Sequence, residues 1–174
     1  MRKRANALTG SVAALALGAT IGTAATPLAA EEPAFLALSA GVFDIADDYT
    51  TAEFRAEYRS DLRLWLFAPF VGAMANAEGG VYGYAGLGVD IFLGKRIVLT
   101  PNAAFGLYYE GDSKDLGGAF EFRTGAELAY RFDDQSRLGV ALHHISNASI
   151  YDQNPGTESV VLTYAIPIGV GVEP

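Results

Sequence analysis

The stretch Thr50-Thr51-Ala52-Glu53-Phe54-Arg55-Ala56-Glu57-Tyr58-Arg59-Ser60 alternates without a break. Phe54, Ala56 and Tyr58 fall on one side of an extended chain, and Glu53, Arg55, Glu57 and Arg59 on the other. A repeat of two is the period of a β-strand, whose successive side chains point to opposite faces. Residues 119–132 repeat the pattern, with Phe120, Phe122, Ala126, Leu128, Tyr130 and Phe132 opposed to Glu121, Arg123, Glu127 and Arg131.

Working outward from these two segments predicts eight strands, at 35–45, 50–60, 62–74, 80–93, 95–110, 118–132, 136–147 and 157–170. Several reach the roughly 9–11 residues that a tilted strand needs to cross a bilayer. Tight turns are expected near Ser60-Asp61, Gly94-Lys95 and Asp133-Asp134-Gln135, and looser links at 46–49, 75–79, 111–117 and 148–156. Long loops at one end and short turns at the other is the layout of an outer-membrane barrel. The fold class expected is therefore all-β, an eight-stranded antiparallel transmembrane β-barrel. The glycines of 79–94 read as sheet positions that make room inside a tight barrel.

Alternation alone does not say which face is wet, because a lipocalin-like barrel has the same period with its charges outside. Composition favours the membrane version. The 174 residues are 51% hydrophobic and 18% charged, against about 25% charged in an ordinary soluble domain. Beyond residue 30 the chain has only two lysines, Lys95 and Lys114, where a solvated surface uses many. Its strand charges are Glu and Arg two residues apart, a spacing suited to paired networks in a narrow lumen. Tyr49, Tyr108, Tyr109, Tyr130 and Phe132 stand near strand ends, where interface girdles form.

Residues 1–30 read as an export signal. Arg2, Lys3 and Arg4 precede an apolar stretch from about Ala13 to Ala25, and Ala25 and Ala30 offer cleavage points. Cleavage after Ala30 opens the mature barrel, residues 31–174, on Glu31-Glu32. The formal net charge of −8 argues against nucleic acid as a partner. With no cysteine and only the adjacent His143 and His144, neither a disulfide framework nor a metal site is expected. No nucleophile elbow, phosphate-binding glycine loop or zinc-binding helix motif is present, so no cofactor is expected either.

The chemistry concentrates between the seventh and eighth strands: Leu142-His143-His144-Ile145-Ser146-Asn147-Ala148-Ser149-Ile150, then Asn154-Pro155-Gly156-Thr157-Glu158. The apolar face of strand seven, Leu138, Val140 and Leu142, continues to His144 and Ser146. The apolar face of strand eight, Val160 through Ile168, reaches back to Glu158. If 144 pairs with 158, imidazole and carboxylate become neighbours about 5 Å apart at Cβ. These are the parts of a nucleophilic triad. Ser146 would attack, His144 (ordinary pKa about 6.5) would take its proton, and Glu158 would fix the imidazole tautomer. Asn147, Asn154 and the amide of Gly156 are candidates for oxyanion or substrate binding. The same residues also fit a polar rim that meets lipid headgroups. His143 faces the other way, toward an interior hydrogen bond, and Asp152 is an alternative orienting acid.

At His144-Ile145-Ser146-Asn147-Ala148-Ser149-Ile150, with Asn154, Gly156 and Glu158 following, the sequence resembles the lipid A 3-O-deacylase (PagL) family. The resemblance is strong over 138–168 and looser around Phe120–Phe132. It implies an eight-stranded outer-membrane barrel with a Ser146-His144-Glu158 triad on its outer wall, in the outer leaflet. It also implies hydrolysis of the ester-linked 3-hydroxyacyl chain at position 3 of lipid A in lipopolysaccharide. The ending Gly171-Val172-Glu173-Pro174 departs from the terminal aromatic common in such barrels. Two other classes compete: a non-enzymatic structural barrel, and a periplasmic lipid-binding barrel with a wet exterior.

Overall fold

A computed structural model describes residues 32–169; the expected export signal at 1–30 lies outside the described residues, as does the chain's last segment. The strands are β1 (Ala34–Phe43), β2 (Thr51–Arg59), β3 (Ala68–Asn76), β4 (Val81–Gly88), β5 (Ile91–Leu93), β6 (Ile97–Tyr109), β7 (Phe120–Arg131), β8 (Arg137–Ser146) and β9 (Thr157–Ile168). β4 and β5 both pair with β6, so they form one stave broken at Val89-Asp90. Each stave pairs with its sequence neighbours, and β1 pairs with β9 to close the ring. The result is an eight-stranded antiparallel closed barrel, as the alternation predicted.

Burial follows the period of two. Along β2, Glu53, Arg55 and Glu57 are buried while Phe54, Ala56 and Tyr58 are exposed. Along β8 and β9 the outward residues Leu138, Val140, Leu142, Leu162, Tyr164 and Ile166 are all exposed. The charges are thus inside and the hydrocarbon outside, which excludes the lipocalin-like arrangement. An apolar exterior is stable only against lipid, and closure pairs both edges of every strand but the short β5.

The lumen is filled by ion pairs and rings. Arg59 grips Glu127 with two hydrogen bonds of 3.0 and 2.7 Å and donates a third of 2.9 Å to Glu57. Arg123 donates to Glu57 at 3.1 Å and lies over the rings of Tyr84 and Phe70, 4.1 and 5.2 Å from their centroids. Such bidentate and stacked arginines are what the planar guanidinium does better than an ammonium. Gly86 faces this packing because a Cβ there would come within 2.6 Å of the Phe70 ring. Nearer the loops, Phe43, Met74, Tyr82, Tyr108, Leu116 and Ile145 make an apolar plug.

Three readings of the sequence are corrected. The third strand begins at Ala68, so 60–67 is a projecting turn and not the first half of a strand from 62. There the apolar positions form their own two-residue hairpin, with Leu64 bridged to Phe67 and Trp65 at φ 63°. Tyr108 does not join the girdle; it points inward and donates its hydroxyl to the Lys114 carbonyl at 3.0 Å. The stave at 80–93 breaks because the Asp90 carboxylate turns in to accept from Arg137 at 3.1 Å and from Thr100 at 2.8 Å.

Wetness of the two faces is testable on β9, where Leu162 is 55% exposed and Thr163 is 2% exposed with its hydroxyl 2.9 Å from that of Ser39. Leu162→Arg should weaken the inserted barrel by about 2–4 kcal/mol, the range for a cation on the lipid face near mid-bilayer. A lipid-soluble photoreactive probe should label a cysteine placed at 162 and skip one at 163 in intact membranes. Equal labelling of both would refute the assignment of faces.

Candidate active site

The site sits at the rim where β8 ends and β9 begins, under the loops 44–50, 110–119 and 147–156. Its geometry starts with register. His144 lies directly opposite Glu158 across the β8–β9 ladder. Their side chains meet with Nδ1 2.9 Å from Oε1, and they are 47% and 48% exposed on the outer wall. Ser146 follows two residues along the same face and is the last residue of β8. On the other flank, Thr124 and Phe122 of β7 stand opposite His144 and Ser146. The structure therefore brings His144, Ser146 and Glu158 onto one patch of an otherwise apolar wall. Among the described residues the Ser146 hydroxyl makes no hydrogen bond to the ring. Asp152 is exposed in its loop and makes no bond to His144.

The loop from Ser146 to Thr157 is held by asparagines. Asn147 is fully buried, and its amide donates at 2.8 Å to the carbonyls of both Leu116 and Gln153. Its backbone N–H donates to Asn154 Oδ1 at 3.0 Å, and its own Oδ1 accepts from the Ser149 N–H at 2.9 Å. This lattice holds Ala148 and Ser149 at φ 53° and 62°, a left-handed conformation uncommon in residues with a Cβ. The backbone N–H of Ala148, two residues after Ser146, has no partner among the described residues. The sequence pointed to Asn147 as a donor and passed over Ala148, because nothing in a side chain marks a free amide.

Gly156 closes the site from the loop side. It is buried with φ 66°, and a Cβ there would lie 3.1 Å from His144 Cε1 and 3.6 Å from the Cβ of Ser146. Glycine is the residue that tolerates both that φ and that closeness. On the opposite face His143 packs over Gly125 inside the barrel, and its Nδ1 has no partner among the described residues, where an interior hydrogen bond was expected.

A lysine clamp that the motifs did not announce ties the rim loops together. Lys114, almost fully buried, donates at 2.7 Å to Asp44 and at 3.0 Å to Asp47. Asp44 also accepts at 2.9 Å from Thr157, next to Glu158, and the Ile45 N–H donates to the Glu158 carbonyl at 3.0 Å. Hydrogen bonding to Lys114 holds the Asp47 carboxyl below its ordinary range. Burial alone would lower the Lys114 ammonium, but its two carboxylate partners raise it above its ordinary value. The signal was present in the composition, since one of the two lysines past residue 30 was placed in a rim loop.

From Phe122, opposite Ser146, an outward-facing apolar groove of about 540 Å³ opens between Phe105, Ala103, Leu87 and Gly86. Among the described residues no group of histidine and carboxylate ligands is arranged to hold a metal ion.

Residues 49–167 match the family model described as lipid A 3-O-deacylase (PagL), which is more than half of the chain. The lipid A deacylase PagL of Pseudomonas aeruginosa is 37% identical over 105 residues, covering 59% of this chain and 51% of its own. That of Bordetella bronchiseptica is 39% identical over 51 residues, 29% of each chain. The chain thus spans about half or less of the length of the curated relatives it matches. Among solved structures, that of the outer membrane enzyme PagL superposes with a TM-score of 0.57 at 21% identity, covering 77% of this chain and 99% of that one. Neisserial surface protein A gives the same score at 9% identity, covering 77% and 96%. These likenesses speak for the fold, whereas the span of the family match speaks for descent: the chain belongs to the lipid A 3-O-deacylase (PagL) family.

Proposed function

We propose that this protein is an outer-membrane serine esterase that removes the ester-linked 3-hydroxyacyl chain from position 3 of lipid A. The observation that carries the reading is the 2.9 Å contact of His144 Nδ1 with Glu158 Oε1 on a lipid-facing wall, with Ser146 two residues beyond. A polar rim serving only headgroups has no need of a register-matched imidazole–carboxylate pair. With Nδ1–H held by Glu158, Nε2 is left as the acceptor, the tautomer a general base requires.

The chemistry then runs in two halves. Ser146 Oγ attacks the ester carbonyl and passes its proton to His144 Nε2. The tetrahedral intermediate collapses to an acyl-serine, and His144 returns the proton to the departing sugar oxygen. Water, deprotonated by His144, releases the fatty acid and restores Ser146. The oxyanion would be met by the unpartnered Ala148 amide together with the Asn154 or Gly156 region. Asn147, whose side-chain amide is already spent on two carbonyls, acts by shaping that loop. The groove beside Phe122 would take the hydrocarbon tail.

Substitution separates the roles. Ser146→Ala and His144→Ala should each abolish release of hydroxyacyl chains, measured by mass spectrometry of lipid A. Both variants should still fold, since neither side chain fills the lumen. Glu158→Ala should retain partial activity, because an orienting acid contributes less than nucleophile or base. Full activity in Ser146→Ala would sink the mechanism.

Gly156→Ala should lower kcat with the barrel intact, because the added methyl meets the His144 ring and the φ is unfavourable. Wild-type turnover in that variant would show that ring placement is not controlled from this loop.

The pH profile is the third check. The base works only as neutral imidazole, so the rate should fall on acidification. The clamp does not confound this. Asp47, held low, contributes above the ordinary Asp pKa near 3.9 and is lost only below it. Lys114, held high, contributes below about 10.4 and is lost only above it. Protection of the 44–50 amides relative to their intrinsic exchange should stay constant from pH 5 to 8 while the rate changes, and a flat rate would exclude histidine as the base.

A further inference from the structure

The turn from β2 to β3 has the wrong composition for a water-exposed loop. At the end of the barrel away from the active site, Leu62, Leu64, Trp65, Leu66 and Phe67 are all exposed, Trp65 to 84%. Arg63 alone turns in, its guanidinium 3.6 Å from Asp90. The hairpin pairs part of its own backbone: Leu64 and Phe67 exchange two hydrogen bonds of 2.8 and 3.1 Å, and the Ser60 N–H donates to the Pro69 carbonyl at 2.9 Å. A segment that leaves water must do this. Its tip also carries strain, a tryptophan at φ 63°, which persists only where something else holds it.

We infer that this hairpin is a lipid anchor, seated in the glycerophospholipid interface of the leaflet opposite the catalytic loops. Three observations choose lipid over a protein partner. The patch is continuous with the lipid-facing wall, because Phe67 lines the same outward groove as Leu87 and Phe105. The neighbouring β5–β6 hairpin lengthens that wall in the same direction through Ile91, Phe92 and Leu93, all exposed. That hairpin then ends on Lys95-Arg96, where the apolar band gives way to charge: Arg96 is held by Asp133, and the exposed Lys95 is the cation suited to a phosphate headgroup. An indole, apolar in body with one N–H donor, is the side chain that settles at such a boundary. The anchor would set the depth of the far rim, and through the rigid barrel the level of His144 and Ser146. It rests on the membrane barrel and not on the esterase reading, so it stands or falls independently of Ser146.

Trp65 is the chain's only tryptophan, so its fluorescence reports the hairpin alone. The full-length protein should be folded into phosphatidylethanolamine–phosphatidylglycerol vesicles, some with chains brominated near the glycerol. The anchor predicts emission shifted to the blue of the urea-unfolded chain, strong quenching by the brominated lipid and several-fold weaker quenching by aqueous iodide. Replacing both Leu62 and Leu64 by Ser should raise iodide quenching several-fold while the folded barrel still resists heating in detergent. Iodide quenching equal to that of the unfolded chain would place the hairpin in water and overturn the proposal. Quenching by neither agent would mean a protein covers it, a second copy included, and would overturn it equally. An unchanged signal in the double variant would do the same.

Discussion

A polypeptide in hydrocarbon has no water to bond its amides, and that constraint organises everything else in this molecule. It forces the strands into a closed ring, in which β1 pairs with β9 and β4 with β6, and only the three-residue β5 keeps an unpaired edge. Closure in turn divides the side chains into two sets by strict alternation. One set must suit lipid, and the other must fit a lumen only wide enough for side chains. Eight staves leave no room for a pore of water, so most charges inside satisfy one another, the buried Glu121 excepted. Arg59 with Glu57 and Glu127, and Arg137 with Glu32 and Asp90, are the outcome. Buried pairs of this kind contribute little net stability compared with apolar packing, yet removing one partner would strand the other. Their value lies in register: Arg59 with Glu127 and Arg137 with Asp90 join separate staves and fit only when those staves are correctly aligned.

Register is also what builds the site. Antiparallel pairing puts His144 opposite Glu158, and slipping β8 by one residue would carry His144 into the lumen. The outer wall is a poor place for polar groups, so three together on it need the rim, where loops bring partners and headgroups supply water. The Lys114 clamp and the Asn147 lattice hold that rim. Both bind backbone and side chains of separate loops, and both are buried, so they stiffen the site without touching its reacting face.

How much of this was legible depended on how far each feature obeys the period of two. The eight staves, the faces of β2 and β7, and the pairing of 144 with 158 follow from alternation plus loop length. Where local chemistry departs from that period, reading failed. Leu62, Leu64 and Leu66 alternate well enough to pass for strand, but Trp65 reverses the chain between them. Tyr108 was placed on the girdle by its position near a strand end, whereas its parity puts it inside with Tyr82 and Phe43. Asn147 was weighed by side-chain type, and only the fold reveals that its amide is engaged on Leu116, distant in sequence. The break at Asp90 likewise depends on Arg137, which no local window contains.

The proposed hydrolase, embedded in its substrate phase, would have a problem of level more than of affinity. The ester to be cut lies at one depth, set by the headgroup plane, and a barrel can slide or tilt by several ångströms at modest cost. The rim that carries His144, Ser146 and Glu158 is fixed rigidly to the far rim, since the staves run from one to the other. Interactions at the far rim therefore act on the site through displacement of the whole body, with no conformational change required. An apolar turn there and a polar triad here then become two ends of one ruler. This arrangement explains why hydrophobic side chains would be concentrated in a turn that contributes nothing to the lumen, and why the wall between the two rims is uninterrupted hydrocarbon along Leu138, Val140 and Leu142.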